Sequence, residues 1–233
     1  MIAIIGGFFI LALIIGVIIY FSTATEDGGA DGTPGTPGTP GAVEGPVKEY
    51  PPIGIAPGKD WVRPSIVTDS YTTTLSGAAY GNGEYKASVS EGGVYAFGND
   101  VSEWPPSGAF DKSGAVTNGR NGYHTGAGVM FKLDIELPDS IILKSYKISM
   151  RDECCPGQVP KDWTIEGKKK GEATWEKIDT RVGESGWTLK QEREYTTTGN
   201  KKDFDCYRLN VTSNNGDGSA SHVGEWKLFG SKV

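Results

Sequence analysis

Val129-Met130-Phe131-Lys132-Leu133-Asp134-Ile135-Glu136-Leu137 is the stretch that decides the fold. Its large apolar side chains occupy every second position, and charged side chains fall between them from Lys132 onward. Successive side chains of a strand point to opposite faces, so this alternation predicts a strand with one buried and one exposed face. Pro138-Asp139 then predicts a turn, and Ile141 to Met150 predicts a second strand.

Shorter segments of similar composition follow, and turn-rich stretches such as Gly167 to Gly171 and Asn214-Asn215-Gly216 separate them. No amphipathic helical repeat of useful length interrupts this pattern. Many short strands punctuated by turns are typical of an antiparallel sandwich or barrel. We therefore predict one all-β domain over residues 61–233, large enough for a sizeable core. Its further strands are predicted at Asp162–Glu166, Thr174–Asp179, Tyr207–Thr212 and Val223–Phe229.

The N-terminal residues 2–21 contain no charged side chain and consist mainly of Ile, Leu, Phe, Val and Gly. A helix of about 20 such residues spans the hydrocarbon core of a bilayer, about 30 Å. Residues 1–22 are therefore predicted to form a transmembrane anchor. A cleaved signal peptide, ending near Ser22-Thr23-Ala24, is the alternative, but it would need a basic start and a shorter apolar core. We expect a single-pass protein with its C-terminal domain on the non-cytosolic side.

A stalk is predicted between the anchor and the domain, over residues 23–60. Gly32-Thr33-Pro34 is repeated through Pro40 with the Gly-X-Y period of collagen. Three triplets are too few for a stable triple helix, so a semi-rigid polyproline-II spacer is expected. Proline also recurs at Tyr50-Pro51-Pro52 and Ala56-Pro57-Gly58. Such a spacer would hold the domain off a membrane.

The second predicted strand ends at Arg151-Asp152-Glu153-Cys154-Cys155-Pro156-Gly157-Gln158. Neighbouring Cα atoms are about 3.8 Å apart, below the usual disulfide span of about 4.4–6.8 Å, so a bond between these cysteines would close a tight ring with a flat sulfur surface. Arg151 would place a charged donor fork beside that surface. An apolar plate beside donors suits a sugar, which has a C–H face and a rim of hydroxyls. Two reduced thiols in a surface loop, or a bond from either thiol to Cys206, are the alternatives.

The same loop resembles the binding motif of the fucolectins, or F-type lectins, within the discoidin (coagulation factor 5/8 C-type) superfamily. Their motif is Arg-x-Asp-Cys-Cys-x-x-Arg, preceded by a His-Thr pair that His124-Thr125 matches here. Glu153 replaces the aspartate, and Gln158 replaces the second arginine with a side chain that hydrogen-bonds but carries no charge. The resemblance implies a Cys154–Cys155 disulfide with Cys206 free and buried. It implies a glycan site built from His124, Arg151, Glu153, Cys154, Cys155 and Gln158.

The resemblance continues along the domain, through Pro160 to Gly167, Trp175 to Thr180, Tyr207 to Leu209 and Gly224 to Gly230. It implies an antiparallel, discoidin-like β-sandwich (jelly-roll). Domains of this pattern are frequent in large double-stranded DNA viruses of protists and algae, often beside collagen-like repeats. A location in a virion membrane, on a capsid or at a cell surface is therefore expected.

Gly108-Ala109-Phe110-Asp111-Lys112-Ser113 resembles the calcium loop of the superfamily. Ca²⁺ takes about six to eight hard oxygen ligands. By the resemblance, Asp111 and Glu225 would supply carboxylates, and mainly backbone oxygens would come from Gly108, Ser113, Asn121 and Gly224. Lys112 stands where the family often has glycine. The alternative is a solvated turn with two unrelated acids.

The sequence argues against an enzyme and against a nucleic-acid-binding protein. It has two histidines and no Gly-x-Ser-x-Gly, His-Glu-x-x-His or phosphate-binding loop. A net charge of −6 disfavours nucleic acid as a partner. We therefore expect a membrane-anchored, lectin-like adhesion module that binds a glycan or glycoprotein. The alternative is a non-enzymatic virion structural protein, in the minor capsid or inner membrane, whose sandwich binds capsid proteins.

Overall fold

The computed structural model describes residues 43–55, 70–94, 104–112, 122–126, 128–152 and 154–233. The anchor predicted at residues 2–21 and the Gly-Thr-Pro repeat lie outside these residues. In the part of the chain that is described, no helix is long and apolar enough to cross a membrane.

The described residues form strands and two single-turn 3₁₀ helices, Pro106–Phe110 and Pro156–Gln158. The strands are β1 (Lys48–Tyr50), β2 (Ser70–Leu75), β3 (Gly83–Glu91), β4 (Tyr123–His124), β5 (Phe131–Ser149), β6 (Pro160–Lys168), β7 (Glu176–Arg181), β8 (Glu192–Thr196), β9 (Phe204–Asn214), β10 (His222–Val223) and β11 (Glu225–Ser231).

All strand pairs are antiparallel, and β5 is the strand on which the sandwich is built. Its first part lies between β3 and β9, in a layer ordered β2-β3-β5-β9-β6-β7. Its second part lies between β11 and β8, in a layer ordered β1-β11-β5-β8. One strand therefore belongs to both layers. Separately, β4 and β10 form a two-residue ribbon.

The turn predicted at Pro138-Asp139 is wrong, because β5 continues through it from Phe131 to Ser149. A proline has no N–H to donate to a strand ladder. The pairing with β9 is irregular between Glu136 and Ile141, and the pairing with β11 begins at Ile142. Pro138 thus lies where β5 stops pairing with β9 and begins to pair with β11. No hydrogen bond between strands needs a backbone N–H at this position.

The sheet begins upstream of the domain boundary predicted at residue 61. Within the range predicted as stalk, Lys48–Tyr50 pairs with β11, with Tyr50 opposite Leu228. Tyr50 is 1% exposed and Ile55 is 2% exposed, so both belong to the core. A strand of three residues is too short to show an alternating pattern, which is why the sequence does not predict it.

The core lies between the two layers and follows the predicted alternation. Phe131, Leu133, Ile135 and Leu137 are all buried, and each such side chain contributes about 1.5–3 kcal/mol by leaving water. Aromatic side chains connect the layers: the Trp163 ring of β6 packs edge-on against Tyr195 of β8, with ring centroids 5.2 Å apart. The all-β sandwich predicted from the sequence is the architecture observed.

Candidate functional site

Two histidines face each other across the β4–β10 ribbon. His124 is the register partner of His222, and directly opposite residues on paired strands project to the same face. Their rings are stacked, with centroids 6.4 Å apart. Thr125 fixes the ribbon: its Oγ1 accepts a hydrogen bond from the Ser221 N–H at 2.9 Å and donates to the Gly128 carbonyl at 2.8 Å. The predicted site residue His124 is therefore half of a histidine pair.

The loop after β5 presents a vicinal disulfide at the surface. Cys154 and Cys155 are bonded to each other, and Cys206 is a free, buried thiol. Cys154 is exposed and Cys155 is half-buried, so one sulfur surface is accessible. Burial raises the pKa of Cys206 to about 12, which makes this thiol unreactive at neutral pH. Glu153, also predicted as a site residue, lies outside the described residues.

Arg151 is held beneath this loop by an aromatic ring that the sequence analysis did not include. Its side chain is 3% exposed, and its guanidinium carbon lies 5.0 Å from the centroid of the Trp104 ring. The same indole contacts the His124 ring, with centroids 5.8 Å apart. Trp104 thus lies between the two polar residues of the site and orients the guanidinium by a cation–π contact.

Gln158 joins the disulfide loop to the loop after β9. Its Nε2 donates to Asp217 Oδ2 at 3.0 Å, and its Oε1 lies 3.2 Å from His222 Nδ1. The Asp217 N–H donates to the Gly157 carbonyl at 3.1 Å, which holds the two loops together through the backbone as well. The position of the family's second arginine is therefore occupied by an amide that is bound at both ends.

The charge states of the side chains in this cluster follow from their hydrogen bonds and from their burial. The hydroxyl and the backbone N–H of Ser219 lower the pKa of Asp217 to about 2, so Asp217 is ionised at neutral pH. Burial lowers the pKa of His124, and burial lowers the pKa of His222 well below its usual range, with the Arg151 charge acting in the same direction. Both histidines are thus neutral. Because the Gln158 Oε1 is an acceptor, His222 Nδ1 carries the proton.

Two of the predicted calcium residues, Gly108 and Gly224, meet Gly122 where β4 begins and β10 ends. Gly108, Gly122 and Gly224 bring three backbone segments together: a Cβ on Gly108 would lie 2.4 Å from the Gly122 carbonyl oxygen, and one on Gly122 would lie 2.8 Å from the Gly224 Cα. Each position therefore requires glycine. Ser113 and Asn121, the other two backbone ligands predicted, lie outside the described residues.

Two carboxyl groups, those of Asp111 and Glu225, come together beside these glycines. Burial, and after it the neighbouring Asp111 carboxyl, raises the pKa of Glu225 to about 9. Neither carboxylate oxygen of Glu225 has a hydrogen-bond partner within the described part of the chain. Lys112 does not neutralise the pair, since its Nζ lies 2.9 Å from Glu49 Oε1. A buried carboxyl whose oxygens lack hydrogen-bond partners, next to a second, half-buried carboxyl, fits a hard cation.

A cation here would depend on backbone oxygens as well as these two carboxylates. The described residues hold no group of three or more His, Cys, Asp or Glu side chains placed to bind a metal ion. The prediction assigned most ligands to backbone carbonyls, which carry no signature in the sequence.

Trp104, Asp217 and His222 are the site residues that the sequence analysis missed. They lie far from Arg151 along the chain and are brought to it by the 104–110 segment, the β9–β10 loop and β10. His222 had one available signal, because it is the second of only two histidines in the chain. No feature of the sequence marks Trp104 or Asp217 as a site residue.

The fold is a discoidin-like β-sandwich. The F5/8 type C domain of a Bacteroides fragilis protein superposes with a TM-score of 0.51 at 13% sequence identity, covering 64% of this chain and 93% of that one. The fold class predicted from the sequence is thereby confirmed.

Two other solved structures are similar at lower scores. A family 32 carbohydrate-binding module from Clostridium perfringens, in complex with galactose, gives a TM-score of 0.44 at 12% identity and covers 70% of this chain and 93% of its own. The fucolectin from Morone saxatilis (striped bass) serum gives 0.47 at 11% identity, covering 71% of this chain and 47% of its own. No family model and no curated protein matches the chain.

Proposed function

We propose that this protein is a lectin-like adhesion module that binds a glycan at the disulfide loop, and that it is not an enzyme. The observation that carries the proposal is the accessible Cys154–Cys155 plate lying in the same loop as Arg151 and Gln158, with His124 beside them. A plate next to a set of oriented polar groups matches a pyranose, which has one C–H face and a rim of hydroxyls.

Each residue has a role in this proposal. The disulfide packs on the apolar face of the sugar, and the Arg151 guanidinium donates hydrogen bonds to ring or hydroxyl oxygens. Neutral His124 exchanges a hydrogen bond with a sugar hydroxyl. Trp104 keeps the guanidinium in place by stacking on it. The fold supports the proposal, since an F5/8 type C domain superposes on this one.

Ca²⁺ is the proposed cofactor, bound near the carboxylates of Asp111 and Glu225. It would neutralise the buried Glu225 carboxyl and the half-buried Asp111 carboxyl, and it would fix the glycine-rich segments around them. The glycines beside these carboxylates directly adjoin β4 and β10, which carry the histidine pair, so the ion would act on ligand binding by ordering these segments.

The setting of the module is part of the same proposal. Residues 1–22 would anchor it in a membrane, the Gly-Thr-Pro stalk would extend it, and the sandwich would be displayed on a virion membrane or a cell surface. These statements rest on the apolar run and the repeat in the sequence.

A glycan-array screen of the full-length, oxidised protein tests the proposal. The wild type and Arg151→Lys are compared, because lysine keeps the charge but loses the planar donor fork. Arg208→Lys is the matched control: Arg208 also stacks on an indole, with its guanidinium carbon 4.1 Å from the Trp175 ring centroid, but it lies in the middle of β9.

The expected result is a defined set of glycans bound by the wild type and by Arg208→Lys, with binding lost in Arg151→Lys. A folded wild-type protein that binds no glycan would contradict the proposal. That outcome would favour the structural alternative, a virion protein whose sandwich binds capsid proteins.

A further inference from the structure

A carboxylate lies next to Gln158, the residue that stands at the second arginine position of the fucolectin motif. Gln158, at the position of the second arginine, brings no charge and uses its Nε2 to bind Asp217 Oδ2 at 3.0 Å. Asp217 also influences both histidines electrostatically, so it belongs to the same cluster as His124 and His222. Among the described residues of this cluster, the Arg151 guanidinium is therefore accompanied by the Asp217 carboxylate.

Asp217 is built into the site at a fixed orientation. Its Oδ1 accepts hydrogen bonds from the Ser219 N–H at 2.8 Å, the Ser219 hydroxyl at 2.6 Å and the Ala220 N–H at 3.2 Å. Its own N–H donates to the Gly157 carbonyl, two residues from the disulfide. Among the residues that the structure describes, only the Gln158 amide binds Oδ2, which leaves acceptor capacity on that oxygen, and Asp217 is half-buried. The carboxylate is therefore accessible and cannot swing away from the loop.

The amide of Gln158 cannot screen this charge by reversing. Its Oε1 lies 3.2 Å from His222 Nδ1, and His222 is completely buried. With the Nε2 bound to a carboxylate and the Oε1 bound to a ring N–H, only one orientation of the amide satisfies both partners. Within this cluster, His222 positions the Gln158 amide, and the Gln158 amide positions the Asp217 carboxylate.

We propose that Asp217 is a further ligand-binding residue, which accepts a hydrogen bond from a sugar hydroxyl and selects uncharged glycans against those bearing a carboxylate or sulfate. This inference rests on the proposed function and names its ligand class. An anionic group placed beside the disulfide would face a fixed carboxylate at short range, and like charges in a partly desolvated site repel strongly. A sugar hydroxyl can donate to the same oxygen.

The test compares glycan probes that are identical except for one acidic group, such as a neutral galactoside and its sialylated or sulfated form. Affinities are measured by titration of the full-length protein for the wild type, Asp217→Asn and Ser219→Ala. Asp203→Asn is the matched control. It gives the same change in net charge at the opposite end of β9, a strand of 11 residues and about 35 Å.

The expected result is that the wild type binds each neutral probe at least about tenfold more tightly than its acidic form. Asp217→Asn should reduce this ratio to below about threefold, while Asp203→Asn, which keeps the Asp217 charge, preserves it. Ser219→Ala keeps that charge but removes one hydrogen bond that orients the carboxylate, so its ratio should fall between these two. Raising the ionic strength from about 0.05 M to about 0.5 M should also reduce the wild-type ratio, because salt screens exposed charges.

The failure of this inference is distinguishable from the failure of the proposed function. If the wild type binds glycans but does not discriminate, or if Asp217→Asn discriminates as the wild type does, Asp217 is not a selectivity residue and the inference is wrong. If the folded wild type binds neither neutral nor acidic probes, the proposed glycan function itself is wrong.

Discussion

The Arg151 guanidinium lies over the Trp104 ring, with its carbon 5.0 Å from the ring centroid, while the same ring contacts His124. One indole thus positions both polar residues that the glycan-binding proposal requires. A cation–π contact contributes about 0.5–2 kcal/mol, according to its exposure to water. The Trp104 ring thus connects the segment before β4 to the loop after β5, so its removal should disturb the site.

Replacing Trp104 with alanine should weaken glycan binding by about 2- to 30-fold, the range that a cation–π contact of this size supports. Trp104→Phe should retain part of the affinity, since a phenyl ring still offers a π face. Trp175→Ala, which removes an indole stacked on Arg208, is the control and should not change the affinity. Equal affinities for Trp104→Ala and the wild type, measured by calorimetric titration, would show that the indole does not organise the site.

Reducing the vicinal disulfide should abolish glycan binding without unfolding the domain. The bond lies in a surface loop, and the core is formed by buried apolar side chains of the two layers. Binding is measured before and after treatment with a phosphine reductant, with circular dichroism as the check on folding. Cys206→Ala should bind and respond to reductant as the wild type does, because Cys206 is not bonded. Undiminished binding by the fully reduced protein would argue against the disulfide plate.

Calcium should raise the thermal stability of the protein, and chelation should lower it. A ligand at about 100 times its dissociation constant adds about 2.7 kcal/mol to the free energy of unfolding, and each kcal/mol raises Tm by about 2–4 °C in a domain of this size. Glu225→Gln should abolish the calcium response. In calcium-free buffer this variant should be at least as stable as the wild type, because it removes the close pair of acids formed with Asp111.

The melting temperatures of the wild type and Glu225→Gln are measured by scanning calorimetry, in buffer with calcium and in buffer with a chelator. Identical melting of the wild type in both buffers would contradict the calcium prediction. A calcium response retained by Glu225→Gln would place the ion elsewhere.

The contribution of His222 to stability should fall as the pH is lowered below about 6.5, the usual pKa of histidine in an unfolded chain. Glu225, whose pKa is raised to about 9, acts in the opposite direction, so the His222 contribution is obtained by comparing the wild type with a His222 variant. Burial lowers the pKa of His222 in the folded protein, so the unfolded chain binds more protons in this range. The stabilising contribution is complete above the unfolded pKa and is lost as the pH falls. Arg151 and His124 disfavour protonation of His222, whereas Asp217 favours it.

His222→Gln should reduce the slope of stability against pH between pH 7 and pH 5.5, by up to about 1.4 kcal/mol per pH unit. Urea unfolding at several pH values measures this slope. The lowered pKa of His124 acts in the same direction, so part of the dependence should remain in the variant. An unchanged slope would mean that His222 binds its proton equally well in the folded and the unfolded protein.

The fold could be predicted largely from the sequence because the strands of the core alternate. Phe131 to Leu137 shows a period of two, and every second side chain is buried as expected. The turn expected at Pro138 does not form, since a proline is tolerated where a strand changes partners. Lys48–Tyr50 was not predicted as a strand because its pairing with β11 is set by tertiary contacts rather than by a local pattern.

The candidate site could be predicted only where its residues are neighbours in sequence. Arg151, the two cysteines and Gln158 form one motif. His222 and Asp217 reach the site through the pairing of β4 with β10 and the hydrogen bonds between two loops. The sequence predicted Gln158 as a glycan-binding residue, whereas in the structure both ends of its amide are hydrogen-bonded to other side chains. The spacing of residues in a sequence motif does not predict these hydrogen bonds.

An NMR titration with the tightest-binding glycan from the array shows where the sugar binds. Among the indole and imidazole resonances of the full-length protein, we expect those of Trp104 and His124 to shift on addition of sugar, whereas those of Trp175 and Trp163 do not. In Arg151→Lys these shifts should disappear at the same sugar concentration. Shifts confined to Trp175, or none anywhere, would contradict a glycan site at the disulfide loop.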